Sequence, residues 1–246
     1  MSKRYVIVGD IHGCYVELDE LFSRIGLMPS DTVIPVGDTV NGGPDSDSPR
    51  VIRLLMDIGA KPVCGNHEVR HLWADKNKKQ MPPECLSASH RRTIAQFEAA
   101  GRNGIGIGYG DALEYFSKLP LFRELEDVTI VHAGLRYGIP LAEQQRTHEG
   151  MAVLLGEPPY QVRREKKATD GLPGWCVTYP RTAKPVVFGH ESIRVEVGKV
   201  WEYPQRGNLY PVDTKCARGG LLTALVFYEG NFDNHLVYHV FSRQRN

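Results

Sequence analysis

The sequence predicts an α/β fold with its chemistry gathered at the ends of strands, and three observations carry that expectation. Short apolar runs alternate with amphipathic helical patterns through the first half of the chain, which is the order of βαβ units. A glycine or histidine turn bearing polar side chains closes most of these runs, and open α/β sheets place their sites outside the carboxyl ends of strands. After residue 190 the pattern turns to apolar runs of strand type alone.

Residues 5–8 (YVIV), 32–36 (TVIPV), 62–64 (PVC) and 128–131 (VTIV) are short apolar runs of buried-strand type. Between the first two, residues 15–25 place Val16, Leu18, Leu21, Phe22 and Ile25 at mostly i, i+3, i+4 spacing, a helix with one apolar face. The next helix carries its own start signals. Asp47 or Ser48 can cap it, Pro49 suits its first turn, and it runs on through Val51, Ile52, Leu54, Leu55 and Ile58. Residues 84–100 and 111–119 read as helices of an insertion at about 84–120, expected to lie over the site and to shape specificity. Residues 101–108 (GRNGIGIG) are rich in glycine but lack a preceding strand and the GxGxxG order, so they are expected to be a connection. Residues 194–201, 209–212, 221–228 and 236–241 complete the strands. No repeat or linker is visible, and residues 1–246 are expected to form a single domain.

A chain of 246 residues can bury one sizeable core. Its formal charge of +1 lacks the basic excess of a dedicated nucleic-acid surface. No apolar stretch has membrane-spanning length, and a leader is not expected, because the first strand already runs into polar site residues. The five cysteines are odd in number and lack CxxC spacing, which argues against a disulfide framework or zinc knuckle and fits a reducing cytoplasm.

Five segments share one grammar: Gly9-Asp10-Ile11-His12-Gly13, Gly37-Asp38-Thr39-Val40-Asn41, Gly65-Asn66-His67-Glu68, Val131-His132-Ala133-Gly134-Leu135 and Phe188-Gly189-His190-Glu191. Each presents metal-ligand side chains just after an apolar run. Mixed oxygen and imidazole ligands suit divalent ions such as manganese, iron or zinc. Two such ions can clamp a phosphoryl group, with one carboxylate bridging them and neutral imidazoles adding no charge that repels phosphate. His71, His90, His148, His235 and His239 have no motif around them and are expected at the surface or in packing. The charged run 76–79 is expected to be a solvated helix end.

The set resembles the phosphoprotein-phosphatase type of calcineurin-like metallophosphoesterases, which includes serine/threonine phosphatases and symmetrical diadenosine tetraphosphatases. The family pattern GDxHG, GDxVxRG, GNHE, HxGL and GH stands here as GDIHG, GDTVNGG, GNHE, HAGL and GH. The stretches Asp213-Thr214-Lys215-Cys216, 219–225 (GGLLTAL) and 132–144 (HAGLRYGIPLAEQ) are also similar to bacterial members. The resemblance implies a four-layer α/β/β/α sandwich of two mixed sheets flanked by helices, with the strands after His190 as its second sheet. It implies a dinuclear centre with Asp10 and His12 on the first metal, Asp38 bridging, and Asn66, His132 and His190 on the second. Asp38 and His67 would be the catalytic pair, with His67 as the general acid or the group steadying the leaving oxygen, and a metal-bridging hydroxide attacking phosphorus in line. Asn66 would also face the phosphate.

Two positions depart from the family pattern. Asn41 and Gly42 stand where Asp and Arg are usual. The Asp favours a protonated catalytic histidine, and the Arg grips phosphate bidentately. A second phosphate-binding arginine is expected between the last two motifs. Arg164 is the first choice, because members carry W-x-R-E there, with Arg163 and Arg181 behind it.

The implied activity is hydrolysis of phosphate monoesters or phosphoanhydrides, with a phosphorylated small molecule, nucleotide or phosphoprotein as substrate. Asn41 tilts this toward nucleotide polyphosphates such as diadenosine tetraphosphate, because a phosphate leaving group needs less general-acid help than a serine alkoxide. A serine/threonine phosphatase is the first alternative. A catalytically weak phospho-ligand binding protein is the second.

Overall fold

The computed structural model describes residues 2–79, 85–103, 106–156, 174–192 and 207–244. Its elements run β1 (Arg4–Val8), α1 (Tyr15–Ile25), β2 (Thr32–Pro35), α2 (Ser48–Asp57), α3 (Asn66–Lys76), α4 (Ala88–Arg102), α5 (Tyr109–Ser117), β3 (Phe122–Glu124), β4 (Thr129–Val131), α6 (Leu141–Gln144), α7 (His148–Leu155), α8 (Gly174–Thr178), β5 (Val186–Phe188), β6 (Leu209–Pro211), β7 (Leu221–Tyr228) and β8 (Leu236–Phe241).

Two four-stranded sheets form, in the orders β2-β1-β7-β8 and β3-β4-β5-β6. β1 pairs parallel with β2 and antiparallel with β7, and β4, β5 and β6 run parallel. Strand alternation builds the layers. Tyr5 and Ile7 of β1 share a buried cluster with Ile130, Val187 and Tyr210 of the other sheet. Val6 and Val8 of the same strand turn the other way, onto α1, α2, α4 and α5. Val131, Val186, Phe188 and Leu209 pack outward against α6, α7 and α8. The result is helix, sheet, sheet, helix, as the resemblance implied.

The local start signals hold. Asp47 accepts the Arg50 N–H at 3.2 Å and caps α2 with Pro49 in its first turn. α1 buries Leu18, Leu21, Phe22 and Ile25, but Val16 falls off the apolar stripe and is 46% exposed. α3 ends at Lys76, and the charges beyond it face solvent.

Two expectations need correction. The strands after His190 do not form the second sheet. β7 and β8 extend the first sheet from β1, and only β6 joins the second. Residues 62–64 are not a regular strand. Lys61 and Val63 donate to Val33 and Pro35 on β2, but Cys64 donates to Pro120, in a loop, and Pro62 has no N–H to give. The run 194–201 lies outside the described residues.

Candidate active site

Both sheets aim their carboxyl ends at one cleft. Asp10 and His12 follow β1, Asp38 follows β2, Asn66 and His67 open α3, His132 follows β4, His190 follows β5, and Asp213 follows β6. A cavity of about 430 Å³ is lined by Asp10, His12, Asp38, Asn66, His67 and His190, with His132 fully buried beneath. The six residues expected to hold metal are therefore assembled around one space.

Their arrangement suits a cation. Nε2 of His132 lies 3.0 Å from Oδ1 of Asn66 and 3.5 Å from Oδ1 of Asp38, and Nδ1 of His190 lies 3.2 Å from the same Asn66 oxygen. Spacings of this size match the edge of a coordination shell with bonds of ~2.1 Å. Nδ1 of His132 donates to the Val36 carbonyl at 2.9 Å, and Nδ1 of His12 donates to the Val40 carbonyl at 3.1 Å. Each bond leaves Nε2 unprotonated and turned inward, the outer-sphere arrangement that fixes a ligand tautomer. Side-chain nitrogen and carboxylate oxygen atoms of His12, Asp38 and His67, and of Asp38, His132 and His190, cluster within 4.8 Å in two triplets that share Asp38.

Asp10 lies outside both triplets. Its Oδ2 accepts the His190 N–H at 3.0 Å, while its buried Oδ1 has no hydrogen-bond partner among the described residues. Burial, with Asp213 and Asp38 close by, pushes its carboxyl well above the usual range. A divalent cation would satisfy that oxygen and reverse the shift. The backbone leaves room for this carboxylate only because residue 189 is glycine, since a Cβ there would sit 1.9 Å from Oδ1. At Asp38 burial acts upward, but His132, His67, His12 and the His67 N–H together hold the carboxyl below its ordinary value.

His67 sits in a chain of polar groups. Asn41 donates from Nδ2 to Nδ1 of His67 at 2.9 Å and to Nε2 of His90 at 3.3 Å. Oδ1 of Asn41 accepts from Nε2 of His71 at 2.8 Å, and Tyr109 donates to Nδ1 of His71 at 3.0 Å. His90 in turn donates from Nδ1 to Ser87 at 3.0 Å. With the Asn41 amide in this orientation His67 is neutral and carries its proton on Nε2, which lies 3.7 Å from Oδ2 of Asp38. Burial drives the His67 pKa down to about 3, with Asp38 pulling it upward and His12 adding to the fall.

Glu68 locks two of the motifs together. Its fully buried carboxylate accepts from the N–H groups of Asp38, Thr39 and Gly65 and from the Thr39 hydroxyl, at 2.8–3.0 Å. Backbone strain collects in the same place. The positive-φ non-glycine residues among those described are His12, Asp38, Asn41, His190 and Lys215, and every one of them lines the cavity. Such conformations persist where surrounding structure imposes them, as at functional sites.

Several residues escaped the sequence reading. His71 and His90 are buried and hold Asn41, so they are neither surface residues nor simple packing. Arg70, Lys215 and Arg218 line the cavity and supply positive charge to it. His71 was detectable, standing at i+4 from His67 on the same face of α3. Arg163 and Arg164 lie outside the described residues, and Arg181 is exposed and absent from the cavity wall. At the missing arginine, a Cβ on residue 42 would lie 1.9 Å from the His12 carbonyl oxygen. Gly42 is therefore required by the close approach of two motif loops. Arg92, whose guanidinium donates to the Gly42 carbonyl at 3.1 Å, occupies the outside of that turn.

The chain is 31% identical over 199 residues to a symmetrical bis(5'-nucleosyl)-tetraphosphatase of Delftia acidovorans, covering 77% of this chain and 62% of that protein. It is 29% identical to the asymmetrical bis(5'-nucleosyl)-tetraphosphatase PrpE of Anoxybacillus flavithermus, covering 92% of this chain and 91% of that protein. A solved structure of a candidate diadenosine tetraphosphatase superposes with a TM-score of 0.66 at 27% identity, covering 98% of this chain and 95% of that one. The calcineurin-like phosphoesterase family matches residues 3–219. With its motif residues gathered at the strand ends, the chain belongs to the calcineurin-like phosphoesterase family.

Proposed function

We propose that this chain is a divalent-metal phosphohydrolase of nucleotide phosphoanhydrides, with a dinucleoside tetraphosphate as its substrate. A pair of ions, manganese in the first instance, would be held by Asp10, His12 and Asp38 on one side and by Asp38, Asn66, His132 and His190 on the other. Bound there, they supply Lewis-acid polarisation of the phosphoryl group and activate water. The chain forms one domain whose insertion at about 84–120 covers the site, and it works in the cytoplasm. No described helix is long and apolar enough to cross a membrane.

The observation that carries the substrate class is the Asn41 to His67 hydrogen bond. An amide donor on Nδ1 keeps the imidazole neutral, so His67 offers a hydrogen bond from Nε2 to the leaving oxygen rather than a ready proton. A phosphate leaving group departs well with that help, whereas an alkoxide needs the proton. Asn66, Arg70, Lys215 and Arg218 would neutralise the phosphate chain along the cleft. The names of the two tetraphosphatase relatives agree with this reading.

The test is manganese-dependent turnover of diadenosine tetraphosphate and of a phosphoserine peptide side by side, with Asp38→Asn as control. Faster cleavage of the dinucleotide, lost in the control, supports the reading. Faster cleavage of the peptide would make the chain a protein phosphatase, and no turnover of either would favour a phospho-ligand binding protein.

A further inference from the structure

A second cavity adjoins the metal cleft. Its volume is about 440 Å³, within the range of small-molecule sites, and Val69, Arg70, Trp73, Leu86, Ser87 and His90 wall it. Arg70 lines both cavities. Trp73 is 53% exposed and presents its indole at this cavity.

α3 connects the two spaces by its geometry. His67, Arg70 and Trp73 stand at successive i+3 positions, so each neighbours the next in an inclined stripe that winds ~120° round the helix from His67 to Trp73. At ~1.5 Å of rise per residue, Trp73 lies ~9 Å along the axis from His67. The stripe reads in order as a histidine at the reacting end, a guanidinium midway and an indole face at the far end. A dinucleoside polyphosphate has the matching order of phosphoryl centre, further phosphate and ribose, and flat base.

We propose that this second cavity is a nucleobase subsite in which one base of a dinucleoside polyphosphate stacks on Trp73, with Arg70 against the intervening phosphate. The inference rests on the nucleotide reading above. The apolar walls at Val69, Trp73 and Leu86 suit a planar, weakly hydrated ring, and aromatic stacking accepts any base because each offers a π face. Trp73 is a binding residue here, acting on affinity rather than on the phosphoryl centre.

The experiment measures KM and kcat for diadenosine tetraphosphate and inorganic tripolyphosphate, with manganese supplied, in the wild type, Trp73→Ala and Trp73→Phe. The expected result is a KM for the dinucleotide raised about tenfold in Trp73→Ala, the scale of one base stacked on an aromatic ring, and recovered in Trp73→Phe. The rise should appear in KM and be specific to the substrate that has a base. An equal rise for tripolyphosphate, or a dinucleotide KM that Trp73→Ala leaves alone, overturns the subsite while the nucleotide reading stands. A wild-type protein that cleaves tripolyphosphate but not the dinucleotide overturns the nucleotide reading, and the subsite with it.

Discussion

Asn41 donates from Nδ2 to Nδ1 of His67 at 2.9 Å, so the imidazole beside Asp38 carries its proton on Nε2. The amide is oriented from behind by His71, which donates to its Oδ1.

Asn41→Asp should change the leaving groups the enzyme handles. A carboxylate at this position asks for a proton on both ring nitrogens of His67 and raises its pKa. The ratio of kcat/KM for a phosphoserine peptide to that for diadenosine tetraphosphate should rise about tenfold, a fraction of the ~10²–10⁴ that general-acid help supplies. Equal changes on both substrates would show that His67 does not act at the leaving oxygen.

Acid should destabilise the fold through His71 and His90. Burial is the main cause that lowers His71 to about 3 and His90 to about 4; the nearby His90 and His67 rings add to the fall at His71, and Arg70 adds at His90 while Asp38 opposes it. Between these values and the ordinary histidine pKa of ~6.5, the unfolded chain binds protons that the folded chain refuses, so stability is full above ~6.5 and falls as pH drops. Melting temperature followed from pH 7 to pH 4 should decline, and the slope should be shallower in His90→Gln. Identical slopes in the two proteins would remove His90 from this account.

The motifs were legible because each is local: an apolar run, a turn and ligands within a few residues. The partners of Asn41 were not, since His71 and His90 lie 30 and 49 residues away in the chain. Sheet membership failed for a related reason. The apolar runs of β7 and β8 mark them as strands, but nothing in that pattern states that β7 pairs with β1, some two hundred residues earlier. Likewise, Arg70 sits in a motif helix and Lys215 and Arg218 beside a motif strand, yet only the folded cleft brings their charges together.

Glu68→Gln should be strongly destabilising. Four donors face the two carboxylate oxygens, and an amide NH₂ would confront at least one of them in a fully buried place. A loss of ~1–3 kcal/mol or more in urea unfolding is expected. A variant as stable as the wild type would mean that the Asp38 and Gly65 loops do not depend on this anchor.

Gly42→Arg should fail to restore a phosphate grip. Any side chain there meets the His12 carbonyl at the Cβ, so the first motif loop must move. Gly42→Ala should lose activity and manganese affinity as fully as Gly42→Arg does. A Gly42→Arg enzyme with a lowered KM would contradict the steric argument.

We propose that the convergent Asp, His and Asn side chains would hold a pair of divalent ions, with Asp38 shared between them. Elemental analysis of the protein equilibrated with manganese and desalted tests it most directly, alongside Asp38→Asn. Two ions per wild-type chain are expected, and a stoichiometry reduced by at least one in the variant. A wild-type chain that retains no metal, or an Asp38→Asn chain that retains as much, would contradict it.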